Sequence, residues 1–368
     1  MTMKNTGLRD YLTWRGDLPI SADGFHDADN VILCELAYVD LMPVLGVDGK
    51  IEMTLRQCGE IIESGDMYNL KTLTGGQEDF FRQACASRRF GELTVRQYSE
   101  ILDSEKNLQF AAVEFVLDSR TSYIAYRGTD NTLVGWKEDF MMSFTRISGQ
   151  SAAAGYLRRV IRPFRKYYVG GHSKGGNLAL YACAHLPAKL HSRILRIYNN
   201  DGPGFSPDRF DLTMFEPFKD RIVHLLPGFS IVGRIFELEL GERRVVASAE
   251  SGLVQHDLIN WQVSGPEMIY LSQNEDVSIW MSEAIDTWLE KISENERRHF
   301  VDELFEILSA GGAFTVQEIT GKGFIKVLSA AAGGSELSRR LVKELAETMI
   351  RTGSEQISAN NERKENND

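Results

Sequence analysis

The segment 166–186, KYYVGGHSKGGNLALYACAHL, constrains the fold more than any other stretch of the chain. A short apolar run ends in G-H-S-K-G, and an Ala/Leu-rich helical stretch follows until Pro187 stops it. Strand, G-x-S-x-G, helix is the context of a nucleophile elbow. The turn is so tight that its neighbours must be small. Gly171 and Gly175 supply the room, and Gly176 adds close packing. Ser173 is then lifted above the sheet edge. The amino end of the helix starting near Lys174 points at it, which favours developing negative charge. The competing reading is a glycine-rich turn of a doubly wound sheet. A phosphate-binding loop is excluded, because it needs G-x-x-x-x-G-K-[ST] and here the lysine follows the serine directly.

The rest of the chain supplies a sheet for such a turn. Residues 92–102, 108–117 and 121–127 are β-rich and separated by short polar breaks, so they are expected to pair antiparallel. Beyond them, strands at 166–170, 193–199, 221–226 and 243–249 alternate with helical stretches at 135–146, 152–165 and 175–186. Alternation of this kind implies parallel pairing through crossover helices. Residues 27–42, 51–63 and 76–87 read as helices, the first stopped by Pro43; so do 277–292, 295–309, 315–329 and 335–350. The expectation is an α/β chain with a mostly parallel central sheet, antiparallel strands at its N-terminal edge and a helical C-terminal extension. Its expected divisions are a helical lead-in packed on the core (1–90), the α/β core (91–265), the helical extension (266–352) and a polar, disordered tail (353–368).

Composition narrows the function. The net charge is −11 over 368 residues, and an acidic surface argues against nucleic acid as a partner. No run reaches the roughly 18 apolar residues of a spanning helix. The start, MTMKNTGLRDYLTW, lacks the apolar core of a signal peptide. Cys34, Cys58, Cys85 and Cys183 are scattered without a CxxC pair and read as free thiols of a reducing compartment, so a cytoplasmic location is expected. There is no HExxH and no His/Cys cluster at ligand spacing, so neither a metal nor a cofactor is expected.

A serine nucleophile needs a base. Of seven histidines, His172 lies inside the elbow and is expected to point away from Ser173. His185 and His191 flank the end of the next helix, His224 falls in a strand, and His26 and His299 lie far from the alternating region. His256, in LVQHDLINW, follows the 243–249 strand, where the chain order Ser…Asp/Glu…His expects the base. The acid belongs between them. Asp201, in NNDGPGF at a strand end, is preferred, although an Asp-Gly turn explains it equally simply. Asp208, Asp211 and Glu237 are alternatives, and Asp257 is a local cap or orienting group. An oxyanion hole needs two N–H donors. Lys174 supplies one, and Thr129, in the YRGTD loop after the 121–127 strand, the other. Arg127 and Asp130 are read as braces for that loop.

YRGTD followed by GHSKGGNLA resembles the class 3 lipases, in which an F/Y-RGT loop precedes GHSxGGALA. The closer resemblance is to a bacterial group of lipase-like α/β-hydrolases, the Mbeg-like proteins. It rests on YLTWRGDL at 11–18, YRGTDNTLVGWKEDFMMSF at 126–144, GGHSKGGNLA at 170–179, NNDGPGF at 199–205, PGFSIVG at 227–233 and QHDLINWQV at 255–263. The resemblance implies an α/β-hydrolase fold with Ser173 and His256 in the catalytic positions. Two departures stand out. Class 3 lipases carry the triad aspartate in a D-x-V-P segment, whereas FSIVG here has Ser230 at that place; this moves the acid to Asp201. The residue after the nucleophile is usually leucine, and here it is Lys174. The expected function is a serine hydrolase of a small-molecule or lipid carboxylic ester. The alternative is a catalytically silent α/β-hydrolase-fold binding or regulatory module. The C-terminal helices are open to a role as lid, cap or homo-oligomer surface.

Overall fold

The computed structural model describes residues 6–65, 77–103, 108–129, 141–142, 147–299 and 335–365. β1 (Thr6–Gly7), α1 (Leu8–Arg15), α2 (Asp27–Leu36), β2 (Met53–Thr54), α3 (Leu55–Ser64) and α4 (Gln77–Ala86) come first. A meander follows: β3 (Thr94–Asp103), β4 (Leu108–Val116) and β5 (Thr121–Tyr126). Then come α5 (Ser148–Val160), β6 (Lys166–His172), α6 (Lys174–Ala184), β7 (Ile194–Asn200), β8 (Ile222–Pro227) and β9 (Glu242–Val246). β10 (Gln262–Ser264), β11 (Glu267–Met268) and β12 (Tyr270–Leu271) precede the helices α7 (Asp276–Lys291) and α8 (Glu336–Glu365). Single α-turns and the 3₁₀ segments, the longest of them Leu212–Arg221, are left unnumbered.

Nine strands form one sheet in the order β12-β9-β8-β7-β6-β5-β4-β3-β2. The five central strands, β5 to β9, are parallel, and β4 and β3 continue antiparallel from β5, as the sequence pattern predicts. β2 extends that edge with two residues from the stretch expected to be helical at 51–63, whose helix starts at Leu55. The molecule is thus mixed α/β with a parallel centre. Period-two alternation sets the layers. On β5, Tyr123 and Ala125 face the cluster built by α1 to α4, and Ile124 and Tyr126 face the one built by α5 and α6. Tyr198 and Ile197 divide β7 in the same way. With both faces covered, the central strands can be continuous apolar runs. The lead-in is locked by a buried ion pair: Arg89 donates to both oxygens of Asp29, at 2.6 and 2.5 Å, and Tyr11 donates to Asp29 Oδ1 at 2.9 Å.

Several expectations are corrected. The helix expected at 27–42 ends at Leu36, and Pro43 lies inside a separate turn, Met42–Leu45, instead of stopping anything. Proline fits a first helical turn, where its missing N–H is not needed. The helix expected at 152–165 runs from Ser148 to Val160. The core does not close at 265, because Tyr270 and Leu271 pair with Val246 and Val245 and add an antiparallel edge strand. The tail expected to be disordered from 353 continues α8 to Glu365. Its polarity argues against a packed core, but its Glu, Gln, Lys and Arg are good helix formers. The expected helix at 315–329, and nearly all of that at 135–146, lie outside the described residues. Among the described residues no helix is long and apolar enough to cross a membrane.

Candidate active site

β6 ends at His172, and Ser173 follows with φ 55° and ψ −127°. A residue with a side chain rarely holds positive φ, at a cost of about 1–3 kcal/mol. The surroundings impose it. Ser173 N–H donates to Asn200 O at 2.9 Å, and the Ser173 carbonyl accepts from Gly176 N–H at 2.9 Å. A Cβ on Gly171 would lie 2.2 Å from Gly175 C, and one on Gly175 would lie 2.2 Å from Tyr126 O. Both elbow glycines are therefore required by contact.

The loop after β7 is tied to the elbow. Asn177, on α6, donates to the carbonyls of Pro203 and Gly204 at 3.0 Å each, and Asn199 bonds both ways with the Gly202 backbone. Asp201 takes φ 49°, a left-handed conformation that Asp tolerates better than most residues, and its N–H donates to Leu225 O at 2.8 Å. This aims its carboxylate at the loop after β9. There His256 Nδ1–H donates to Asp201 Oδ2 at 2.6 Å. Its Nε2 accepts from the Ser173 hydroxyl at 3.0 Å. The structure thus brings together the three residues expected to act together. Exposures of 5% for Ser173, 6% for His256 and 1% for Asp201 place them out of bulk water. The other carboxylates are engaged elsewhere: Asp208 with Ser206, Asp211 capping Thr213, Glu237 with Arg234 and Arg243, and Asp257 with the Ile259 N–H.

Both expected N–H donors lie on the elbow or against it. Lys174 opens α6 directly after Ser173. Thr129 is buried and follows Gly128, on which a Cβ would lie 2.5 Å from His172 O. Gly175 packs against Tyr126 and Arg127 from the other side. Arg127 donates to Glu100 Oε1 at 2.7 Å, bracing β5 on β3. Asp130 lies outside the described residues.

Sequence reasoning named His172 and Ser230 but missed what they contact, and it did not single out Glu35. His172 bonds behind the base: its Nε2–H donates to His256 O at 2.8 Å, and Nδ1 accepts from Tyr38 OH at 2.8 Å. Burial, and then the nearby His256, hold its pKa well below the histidine range, so it stays neutral and fixes the His256 backbone. Ser230 donates to Asp201 Oδ1, which also accepts from Gly233 N–H at 3.2 Å. Glu35 is buried, and among the described residues its Oε1 has no partner; burial, and then Asp257, raise its pKa well above the carboxylate range, so it is held neutral. No local pattern marks any of these. Among the described residues no cluster of three or more metal-ligating side chains occurs.

Among solved structures, one described as a crystal structure of M37 lipase is similar at 15% identity and a TM-score of 0.34, over 57% of this chain and 70% of that one. Among curated proteins none matches. The model of the Mbeg1-like family matches residues 84–306, more than half of the chain. The chain belongs to the Mbeg1-like family.

Proposed function

We propose that the protein is an α/β-hydrolase that cleaves carboxylic esters through Ser173, His256 and Asp201. The observation that carries this is the continuous hydrogen-bond chain from Ser173 Oγ to His256 Nε2 and from His256 Nδ1 to Asp201 Oδ2. Ser173 Oγ attacks the ester carbonyl carbon while His256 Nε2 takes its proton. The oxyanion is held by the N–H groups of Lys174 and Thr129, each such donor contributing about 3–4 kcal/mol. The intermediate collapses, and His256 passes its proton to the departing alkoxide. Water, deprotonated by His256, then releases the acid and restores Ser173. Asp201 keeps the proton on Nδ1 and offsets the imidazolium charge. A lipid ester fits the half-buried Phe229, Ile231 and Val232 on the loop behind Asp201, and a small soluble ester fits the same chemistry.

The silent-module reading rested on the serine at the lipase aspartate position, and the contact between Asp201 and His256 weakens that ground. Labelling with a fluorophosphonate tests the enzyme reading. Wild type is expected to label, Ser173→Ala and His256→Ala to lose the label, and Asp201→Asn to lower ester turnover by about 10⁴-fold. A folded wild type that does not react, with or without detergent, would favour the module.

A further inference from the structure

The helix α7 carries Ser278, Ser282 and Asp286 four residues apart, on one face. Each bonds a different point of the loop 228–236. Ser278 accepts from Ser230 N–H at 2.9 Å and donates to the Ser230 carbonyl. Ser282 accepts from Arg234 Nε at 2.7 Å, and Asp286 accepts from Phe236 N–H at 3.1 Å. Phe236 itself is held at φ 47°. The helix entrance adds two bonds, Glu275 N–H to Gly228 O at 2.7 Å and Asn274 to Pro227 O at 2.7 Å. This loop also presents Ser230 Oγ and Gly233 N–H to Asp201 Oδ1. Those two donors leave Oδ2 facing His256. The loop has no regular structure of its own beyond one turn, Val232–Arg234, so its shape depends on what it lies against.

We infer that the polar face of α7 is a positioning template for the acid of the triad, with Ser278 fixing Ser230 and Ser230 fixing the Asp201 carboxylate. The face of α7 that carries Ser278 then positions the acid without touching substrate. The inference rests on the hydrolase reading above, because it assigns a partner to that site's carboxylate. Ser278 is fully buried, and two bonds from one serine to one backbone residue do more than dock a helix.

The test compares phosphonylation rate constants and p-nitrophenyl butyrate kinetics of wild type, Ser230→Ala, Ser278→Ala, Ser230→Thr and Trp280→Phe. Trp280 bonds Met349 O at 3.0 Å, so its variant loosens α7 on the side of α8. Ser230→Ala and Ser278→Ala are expected to lower the phosphonylation rate and kcat by about 10–100-fold with KM within about twofold, since small misplacements cost that much. Ser230→Thr, which keeps the hydroxyl, is expected to recover most of the rate. Trp280→Phe is expected to lower the melting temperature and leave the rate unchanged. Rates near wild type for both alanine variants, or an equal loss in Trp280→Phe, overturn the inference. Failure of the hydrolase reading is seen separately, as a wild type that labels no faster than Ser173→Ala, and it overturns the inference as well.

Discussion

Two residues with side chains hold left-handed backbone at the site, Ser173 at φ 55° and Asp201 at φ 49°. The serine is forced there by packed glycines, whereas the aspartate goes there readily. The Asp-Gly turn and the triad acid are therefore not rival readings of Asp201, because the turn is what aims the carboxylate. Gly233 makes the aim sensitive to one atom. A Cβ there would lie 2.3 Å from Asp201 Oδ1 and 2.4 Å from Leu226 Cδ2. Gly233→Ala is expected to slow phosphonylation of Ser173 by about 10–100-fold. The comparison is a rate constant measured on protein whose melting temperature shows it folded; an unchanged rate would mean the carboxylate has room to shift.

At the scale of elements, β6 and α6 meet in a turn whose geometry comes from five adjacent residues. The loop 228–236 is shaped by a helix some fifty residues further on, through bonds such as Ser230 to Ser278 at |i−j| of 48. The bond from Phe236 N–H to Asp286, between the same loop and helix, has a pH signature. Burial, opposed by the Phe236 N–H and reinforced by Glu290, raises the Asp286 pKa to about 7. The folded value lies above the unfolded one, so the native state keeps a proton that the unfolded chain releases. Its contribution to stability is fully present below about pH 4 and is lost as pH rises through about 7, at up to about 1.4 kcal/mol per unit before screening. Asp286→Asn, which keeps an acceptor for Phe236 N–H, is expected to flatten this loss. Urea unfolding at pH 5 and pH 8 reads it, and an equal slope in wild type and variant would assign the pH dependence to other groups.

Across the whole molecule, one face of the sheet is covered mostly by residues before 91, with Leu258, Trp261, Val263 and Met268 completing it. Val95, Val113, Phe115, Tyr123, Tyr198, Val223 and Leu225 share a cluster with Leu8, Val31, Leu55 and Phe80. The family match begins at residue 84 and so leaves out most of this cover. A fragment starting at residue 91 would expose a contiguous apolar face far larger than a soluble monomer tolerates. It is expected to aggregate, or to bind an apolar dye strongly, during expression and purification. A monomeric, cooperatively melting fragment would show the lead-in to be dispensable.

What could be read in the chain was what neighbouring residues decide. The elbow follows from sterics within five positions, the antiparallel meander from short turns, and the parallel centre from the alternation of strand and helix. Ser173 and His256 were reached by motif and chain order. Asp201 was one of several open carboxylates, and the structure decided which one meets His256, across 55 residues of sequence. The neutral His172 between Tyr38 and the His256 carbonyl, the hydroxyl of Ser230 on Asp201, and the face of α7 behind it have no local signature. Each depends on where separate strand ends and loops come to rest against one another. That is set by the register of β6, β7 and β8 and by the packing of layers on them, and by nothing within the reach of a single motif.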